Sequence, residues 1–401
     1  MSVSAPGRVA ILSAVRTPIG KFGGKLRLTP AVVLGSLAAR EAIARSKVAA
    51  AEVPEVAFGQ GIQAGAGQNP ARQVSRGAGI PDTAGAFTVN MVCGTSMKAI
   101  HLGVAELLSG QFPIVLAGGM ESMDSAPHLL SARARFGLRT GDDTLVDAML
   151  HDSLIDAYGE HEHMGFTGER VARHFHLSRE EVDRFAVRSH RQAAQAIASG
   201  RFEAEYIPVP PEVTFSKEGL KVDEGPRGDS TVESLGRLKP SFLPDGVLTA
   251  ANSSQLSDGA AALVLASEAE VQQRGLKPLA WVHSTAVGGV HPSDVMEAPI
   301  PTVKAHLARE GLQPKDLDRV EHNEAFASAS LAVQKSFGFS EEQFNVHGGA
   351  VALGHPVGAS GARIVVTLLY EMIRTNGRLG LATLCMGGGN GLSLILDRRD
   401  L

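Results

Sequence analysis

Cysteine is almost absent from this chain: two residues in 401, Cys93 and Cys385, far apart in sequence. That excludes a disulfide framework and predicts a reducing, cytoplasmic setting. The Cys-x-x-Cys arrangement of dithiol exchange is missing as well. So is an excess of charge of either sign: 38 Lys plus Arg stand against 42 Asp plus Glu, a formal net charge of −4. Such a balance carries no electrostatic footprint for nucleic acid, and any anionic ligand must be held by a local basic patch. No apolar run is long enough to span a bilayer. The first residues, Met1 to Pro6, have neither the apolar core of a signal peptide nor the Arg/Ser-rich character of a transit peptide. The end, Arg398-Arg399-Asp400-Leu401, matches no targeting address. His-Glu-x-x-His and Cys/His zinc spacings are lacking, so His161, His163, His174 and His176 read as solvated side chains and no metal is expected.

What is there reads as a globular protein with a sizeable core, 44% hydrophobic and 20% charged. The length exceeds one typical domain, which predicts two or three lobes. Strand-like β-branched runs alternate with amphipathic stretches, the pattern of an α/β fold. Val9 to Val15 reads as a buried first strand, and Ile114 to Ala117, closed by Gly118-Gly119, as another. Met97, Ile100, Val104, Leu107 and Leu108 recur at helical spacing, with Gly110 as the stop. Gly358-Ala359-Ser360-Gly361 opens a second such helix, carrying Ile364, Val365, Leu368, Leu369, Met372 and Ile373, before a strand from Leu379 to Leu384. The two stretches, Gly94 to Gly119 and Gly358 to Gly387, share a turn, helix, strand and glycine plan that predicts a duplicated lobe. Between them, from about Ser125 to Gln255, the chain is richer in charge and proline and reads as an insertion. It holds a helix opened by a capping box, Ser178 with Glu181, and ended by Gly200.

The two thiols sit in glycine-rich runs: Asn90 to Met97 around Cys93, and Cys385-Met386-Gly387-Gly388-Gly389-Asn390-Gly391. Glycines let a reactant approach the backbone and leave N–H groups free to point at it. Cys93 falls at a helix N-terminus, where the dipole would lower its pKa and make it a nucleophile; the alternative is a buried structural cysteine. His355, in Gly354-His355-Pro356, has the chemistry to take a thiol proton, or it is a histidine satisfied in the core. Cys385 is open between acid/base, redox partner and packing. Asn323-Glu324 reads as a helix start with Asn323 as N-cap, or as a polar pair beside an oxyanion site. Arg227, Arg237 and Lys239, with Ser234 and Ser254 near them, either meet phosphates or form a solvated face.

Together these runs resemble the thiolase family, the acetyl-CoA C-acyltransferases. The resemblance extends from Arg16-Thr17-Pro18-Ile19-Gly20-Lys21-Phe22-Gly23-Gly24 to Cys385 through Gly391, with Gly118 to Met123 and Asp258 to Ala261 as further signatures. It implies an α/β thiolase fold: two similar βαβαβαββ halves forming a layered α/β/α/β/α core, plus an inserted loop domain that carries the coenzyme A site. Residues 1–124 with 256–278 are then the N-terminal half, 125–255 the loop domain and 279–401 the C-terminal half.

The resemblance also implies roles. Cys93 is the residue that becomes acylated, His355 its activator, and Cys385 the acid/base at the α-carbon of the acetyl unit. Asn323 holds a water that with His355 forms one oxyanion hole, and the N–H groups of Cys93 and Gly387 form the other. Arg227, Ser234 and Ser254 fall where the family contacts coenzyme A, with His163 and Met164 near the pantetheine and acyl pocket. The implied reaction is thiolytic cleavage of 3-ketoacyl-CoA, as in β-oxidation of fatty acids, or its reverse. Coenzyme A thioesters are then substrates, no cofactor is permanently bound, and the enzyme is a homodimer or homotetramer. Ser96, Phe166 to Glu169 and Met296 to Pro299 depart from the commonest pattern; Ser96 favours the degradative direction. The rivals are a decarboxylating condensing enzyme of the ketoacyl-synthase type and a non-catalytic acyl-CoA-binding protein.

Overall fold

The run Val9–Arg16 has every side chain buried and forms the first strand, β1, at the middle of a large sheet. The computed structural model describes residues 7–401; Met1 to Pro6, read above for targeting signals, lie outside them. After β1 come a short β2 (Gly20–Lys21), α1 (Ala31–Ser46), β3 (Glu55–Gln60), α2 (Pro70–Gly77), β4 (Gly85–Val89), α3 (Thr95–Leu108) and β5 (Ile114–Ser122). An intervening segment holds a separate hairpin of β6 (His128–Leu130) and β7 (Leu145–Asp147), then α4 (Met164–His174), α5 (Arg179–Ala198) and α6 (Val232–Gly236). β8 (Ser257–Ser267) and α7 (Glu268–Arg274) complete this first set. The second set is β9 (Ala280–Gly289), α8 (Pro299–Glu310), β10 (Arg319–His322), α9 (Ala327–Phe337), α10 (Ala350–Leu353), α11 (Ser360–Thr375), β11 (Leu379–Met386) and β12 (Asn390–Asp397).

The sheet order, β10-β11-β12-β9-β1-β8-β5-β3-β4, is symmetric about its centre. Outward from β1, the pairings to β8, β5, β3 and β4 run antiparallel, antiparallel, parallel, parallel. Outward from β9, the pairings to β12, β11 and β10 run antiparallel, antiparallel, parallel, and Val320 makes a parallel bridge to Phe344 where a fifth strand would lie. The halves join where β1 pairs with β9 at Val9 to Ile11. This is the two-halved, layered fold that the resemblance implies. Buried residues of α3 and α11 form one core with the strands of both halves, and α1 and α2 pack with the first half in a second. α8 and α9 pack with the second half in a third. Each fully buried apolar side chain at this centre, such as Met97, Ile100 or Leu368, contributes roughly 1.5–3 kcal/mol.

Two local expectations are corrected. Gly118-Gly119 does not end the strand: β5 runs through both to Ser122. A Cβ on Gly118 would lie 2.3 Å from the Ala261 carbonyl oxygen, and one on Gly119 would lie 2.2 Å from that of Gly358. These glycines admit neighbouring backbone within a strand. Leu108, assigned to the apolar face of α3, is 43% exposed at the last turn. The capping box at Ser178 and Glu181 is formed as read, and α5 ends at Ala198 before Gly200 at φ 68°.

Candidate active site

Both glycine-lined turns of interest lead into the paired central helices. Cys93 lies in the turn Val92–Gly94 immediately before α3, and His355 in the turn between α10 and α11. The Cys93 turn is tight. Val92 sits at φ 47°, a conformation β-branched residues rarely adopt. Met91 N–H donates to Thr95 Oγ1 at 2.8 Å, and a Cβ on Gly94 would fall 2.3 Å from Met386 Sδ. The Gly387 N–H is near enough to the Cys93 thiol to favour its thiolate. Cys385, two residues earlier on β11, is buried and close enough for Cys93 to bear electrostatically on it; its Sγ lies 3.7 Å from Met296 Sδ.

The expected lowering of the Cys93 pKa by the helix dipole is overturned. Burial pushes the thiol up to about 11 against the opposing Gly387 N–H, with the Glu121 carboxyl adding to the rise. Burial, then the neighbouring Cys93, pushes Cys385 up to about 12. Desolvation outweighs one helix terminus here. Both shifts favour the neutral thiol at neutral pH. Alkylation of Cys93 by iodoacetamide should accelerate about tenfold per pH unit from pH 7 to 10, because only the thiolate reacts. A rate already level at pH 7 would contradict this.

His355 is buried, and its ring is oriented from both sides. Ser360 Oγ donates to the Pro356 carbonyl at 2.9 Å, so it accepts from His355 Nδ1 at 2.5 Å. That puts the ring proton on Nδ1 and leaves the Nε2 lone pair to accept, with Asn323 Nδ2 donating to it at 3.3 Å. Burial, helped by Arg363, holds the imidazole well below its usual range, at about 3. The ring is a neutral proton acceptor. Asn323 does not cap a helix: α9 starts at Ala327 with Phe326 in the capping position. Asn323 instead continues β10, its N–H donating to the Thr383 carbonyl beside the end of β11, and its Oδ1 is buried without a hydrogen-bond partner among the described residues. It thus bridges the His355 turn and the Cys385 strand.

A cavity of about 480 Å³ opens beside these turns, lined among others by Gly61, Asn90, Val92, Tyr158, Met164 and Gly387. Met164 and Gly387 are thus brought together from α4 and the turn after β11. His163 is the N-cap of α4, its Nδ1 accepting from Gly165 N–H at 3.0 Å and its ring stacked 5.1 Å from Phe242. Arg227, Ser234 and Ser254 do not line the cavity. Arg227 and Ser234 are exposed, and Ser254 is half-buried, its N–H donating to the Ala325 carbonyl. Ser234 Oγ is used within the cap of α6. Arg237 and Lys239 are exposed. His174 pairs with Glu297 at 2.7 Å. Among the described residues, no group of three or more His, Cys, Asp or Glu side chains is placed to hold a metal ion.

Two buried carboxyl groups brace the turns from within. Glu121 is fully buried and accepts from backbone N–H groups of the Gly61 and Gly358 turns. Glu324, buried, accepts from Ser189 Oγ at 2.7 Å, Asn345 Nδ2 at 2.8 Å and Val351 N–H at 3.2 Å, bracing the run that leads to His355. Ser96 is also committed: its Oγ accepts from Ala362 N–H at 2.9 Å, pinning α3 to the first turn of α11.

The chain matches two family models in succession: "Thiolase, N-terminal domain" over residues 9–269 and "Thiolase, C-terminal domain" over 276–398. It is 47% identical over 388 residues to an acetyl-CoA acetyltransferase of Escherichia coli, covering 97% of this chain and 98% of that one. It is 46% identical to a cytosolic acetyl-CoA acetyltransferase of Mus musculus, covering 97% and 98%. A crystal structure of a thiolase from Ascaris suum in complex with coenzyme A superposes with a TM-score of 0.91 at 41% identity, covering 98% of this chain and all of the other.

Proposed function

Because the chain belongs to the thiolase family, we propose that it moves acyl groups between coenzyme A and Cys93, with His355 as base and Cys385 as acid/base at carbon. Its substrates are acetyl-CoA, the thioester in the names of its relatives, and 3-ketoacyl-CoA. What supports this reading is the grouping of Cys93 and Cys385, near enough for one thiol to bear on the other, with an imidazole held by Ser360 and Asn323 so that its Nε2 can accept a proton.

In the cleavage direction, the Cys93 thiol gives its proton to His355 Nε2 as the sulfur attacks the 3-keto carbon. The C2–C3 bond then breaks, and its electron pair leaves as the enolate of acetyl-CoA. Cys385 protonates that carbon and is left as thiolate. Coenzyme A enters, gives its thiol proton to Cys385, and attacks the acyl-sulfur carbonyl. The shortened acyl-CoA leaves, and the Cys93 sulfur recovers its proton from His355. Charge builds on oxygen twice, at the tetrahedral adduct and at the enolate. The Cys93 and Gly387 N–H groups serve one oxygen, and a water held by Asn323, together with His355, the other; losing one such donor costs about 10²–10³ in rate.

Residues 125–255 are the loop domain of this reading, between an N-terminal half of 1–124 with 256–278 and a C-terminal half of 279–401. Arg227, Ser234 and Ser254 meet coenzyme A, and His163 and Met164 meet its pantetheine arm and the acyl group. The enzyme works in the cytoplasm as a homodimer or homotetramer; among the described residues no helix is long and apolar enough to cross a membrane. Mixing with acetyl-CoA should leave one acetyl group on the Cys93 peptide by mass spectrometry, and none in Cys93→Ala. Turnover of acetoacetyl-CoA by Cys93→Ala would exclude the mechanism.

A further inference from the structure

The nucleophile turn and the base turn belong to different halves of the chain, yet a series of hydrogen bonds joins them outside the residues assigned above. It starts at Gly358, three residues past His355, whose N–H donates to Glu121 Oε2 at 2.9 Å. The same oxygen accepts from Gly61 N–H at 3.0 Å and Ile62 N–H at 3.3 Å. The Gly61 carbonyl in turn accepts from Asn90 Nδ2 at 2.9 Å, and Asn90 Oδ1 accepts from Val92 N–H at 3.0 Å. Val92 is the residue held at φ 47°, next to Cys93.

Two features mark this series as more than packing. A Cβ on Gly61 would lie 2.7 Å from Glu121 Oε2, and one on Gly358 would lie 2.9 Å from it, so both turns close around the carboxylate. The Val92 backbone is a conformation that persists only where its surroundings over-determine it, and the Asn90 carbonyl oxygen is fastened to its N–H. We propose that Glu121 and Asn90 are positioning residues that fix the Cys93 turn relative to the His355 turn through Gly61. The inference rests on Cys93 as nucleophile and His355 as base. Proton transfer and attack need the reacting atoms in near-attack geometry, and a misplacement of about 1 Å costs about 10²-fold. Burial pushes the Glu121 carboxyl up to about 8 while its backbone N–H partners pull it down. Those same N–H bonds are what replacement by an amide would disturb.

The test is single-turnover acetylation of Cys93 by acetyl-CoA, read by rapid quench and mass spectrometry. Wild type, Asn90→Ala, Glu121→Gln and the double variant are compared. Each single variant should acetylate about 10²-fold more slowly, with half-saturating acetyl-CoA within about threefold of wild type. The double variant should be no slower than the slower single, because both cut one series of bonds; independent sites would multiply to about 10⁴. Glu121 is buried, so Glu121→Gln can fail to fold. Asn90 is exposed, so Asn90→Ala keeps its melting temperature and carries the test alone. Wild-type acetylation by Asn90→Ala, multiplied losses in the double variant, or a raised half-saturation at unchanged rate would overturn the proposal. Absence of any acetyl group on Cys93 in the wild type would instead sink the underlying assignment of the nucleophile.

Discussion

Cys385→Ala should separate the two halves of the reaction. Acetylation of Cys93 by acetyl-CoA, and exchange of that acetyl group with labelled coenzyme A, should continue within a few-fold of wild type. Cleavage of acetoacetyl-CoA and its formation from acetyl-CoA should fall about 10²–10⁴-fold, the usual contribution of one acid/base group. Transfer between sulfurs makes and breaks only carbon–sulfur bonds, and His355 with the oxyanion donors suffices for that. Carbon–carbon cleavage leaves an enolate that must be protonated at carbon. A thiol pushed up to about 12 by burial holds its proton until such a strong base is generated beside it. His355→Ala, by contrast, should lose exchange and carbon–carbon chemistry together, since both begin with a proton leaving the Cys93 thiol. Isotope exchange between labelled coenzyme A and acetyl-CoA, run beside the acetoacetyl-CoA assay, measures both. Equal losses in the two assays for Cys385→Ala would remove the division of labour between the thiols.

Local pattern disclosed part of this molecule and long-range contact decided the rest. Periodic apolar residues marked β1, α3, α11 and β11, because each buries one continuous face whatever its neighbours are. Glycine clusters marked the turns of Cys93, His355 and Cys385. The same glycines misled at Gly118-Gly119: a glycine pair ordinarily breaks a strand, and only the closeness of the Gly358 and Ala261 carbonyls shows why β5 needs them. Asn323 has the chemistry of a helix cap, but its partner is His355, 32 residues away. The Cys93 pKa follows the burial of the completed site, which no helix terminus reveals. Glu121 stands in plain view in Gly118 to Met123, yet it works on N–H groups 60 and 237 residues distant, and backbone donors leave no trace in side-chain pattern.

Arg16→Met should destabilise the protein by about 3–5 kcal/mol, the cost of breaking a buried ion pair from one side. Arg16 ends β1 with its guanidinium fully buried. Nη1 and Nη2 donate to Asp223 Oδ1 and Oδ2 at 2.8 and 3.1 Å, and Nε lies 3.4 Å from Glu205 Oε2. The Tyr206 and Phe202 rings lie 4.5 and 4.9 Å from its central carbon. Both carboxylates have further partners. Asp223 accepts from Ile19 N–H at 2.7 Å and Tyr206 hydroxyl at 2.5 Å, and Glu205 from Thr367 Oγ1 at 2.9 Å. One guanidinium thus ties the end of β1, the segment from Phe202 to Asp223, and α11, the helix that follows His355. Methionine fills much of the space but leaves two carboxylates buried without a cation. Urea unfolding at neutral pH, with wild type and variant at equal protein concentration, measures the loss; a change below about 1 kcal/mol would show that the cluster is solvated or dispensable. Arg16→Met combined with Asp223→Leu and Glu205→Gln should recover part of the stability, because apolar or neutral replacements of a whole buried ionic group are often tolerated. If the triple variant were instead less stable than Arg16→Met by the sum of its parts, the carboxylates would owe their place to Tyr206, Thr367 and the backbone, and Arg16 would be their guest.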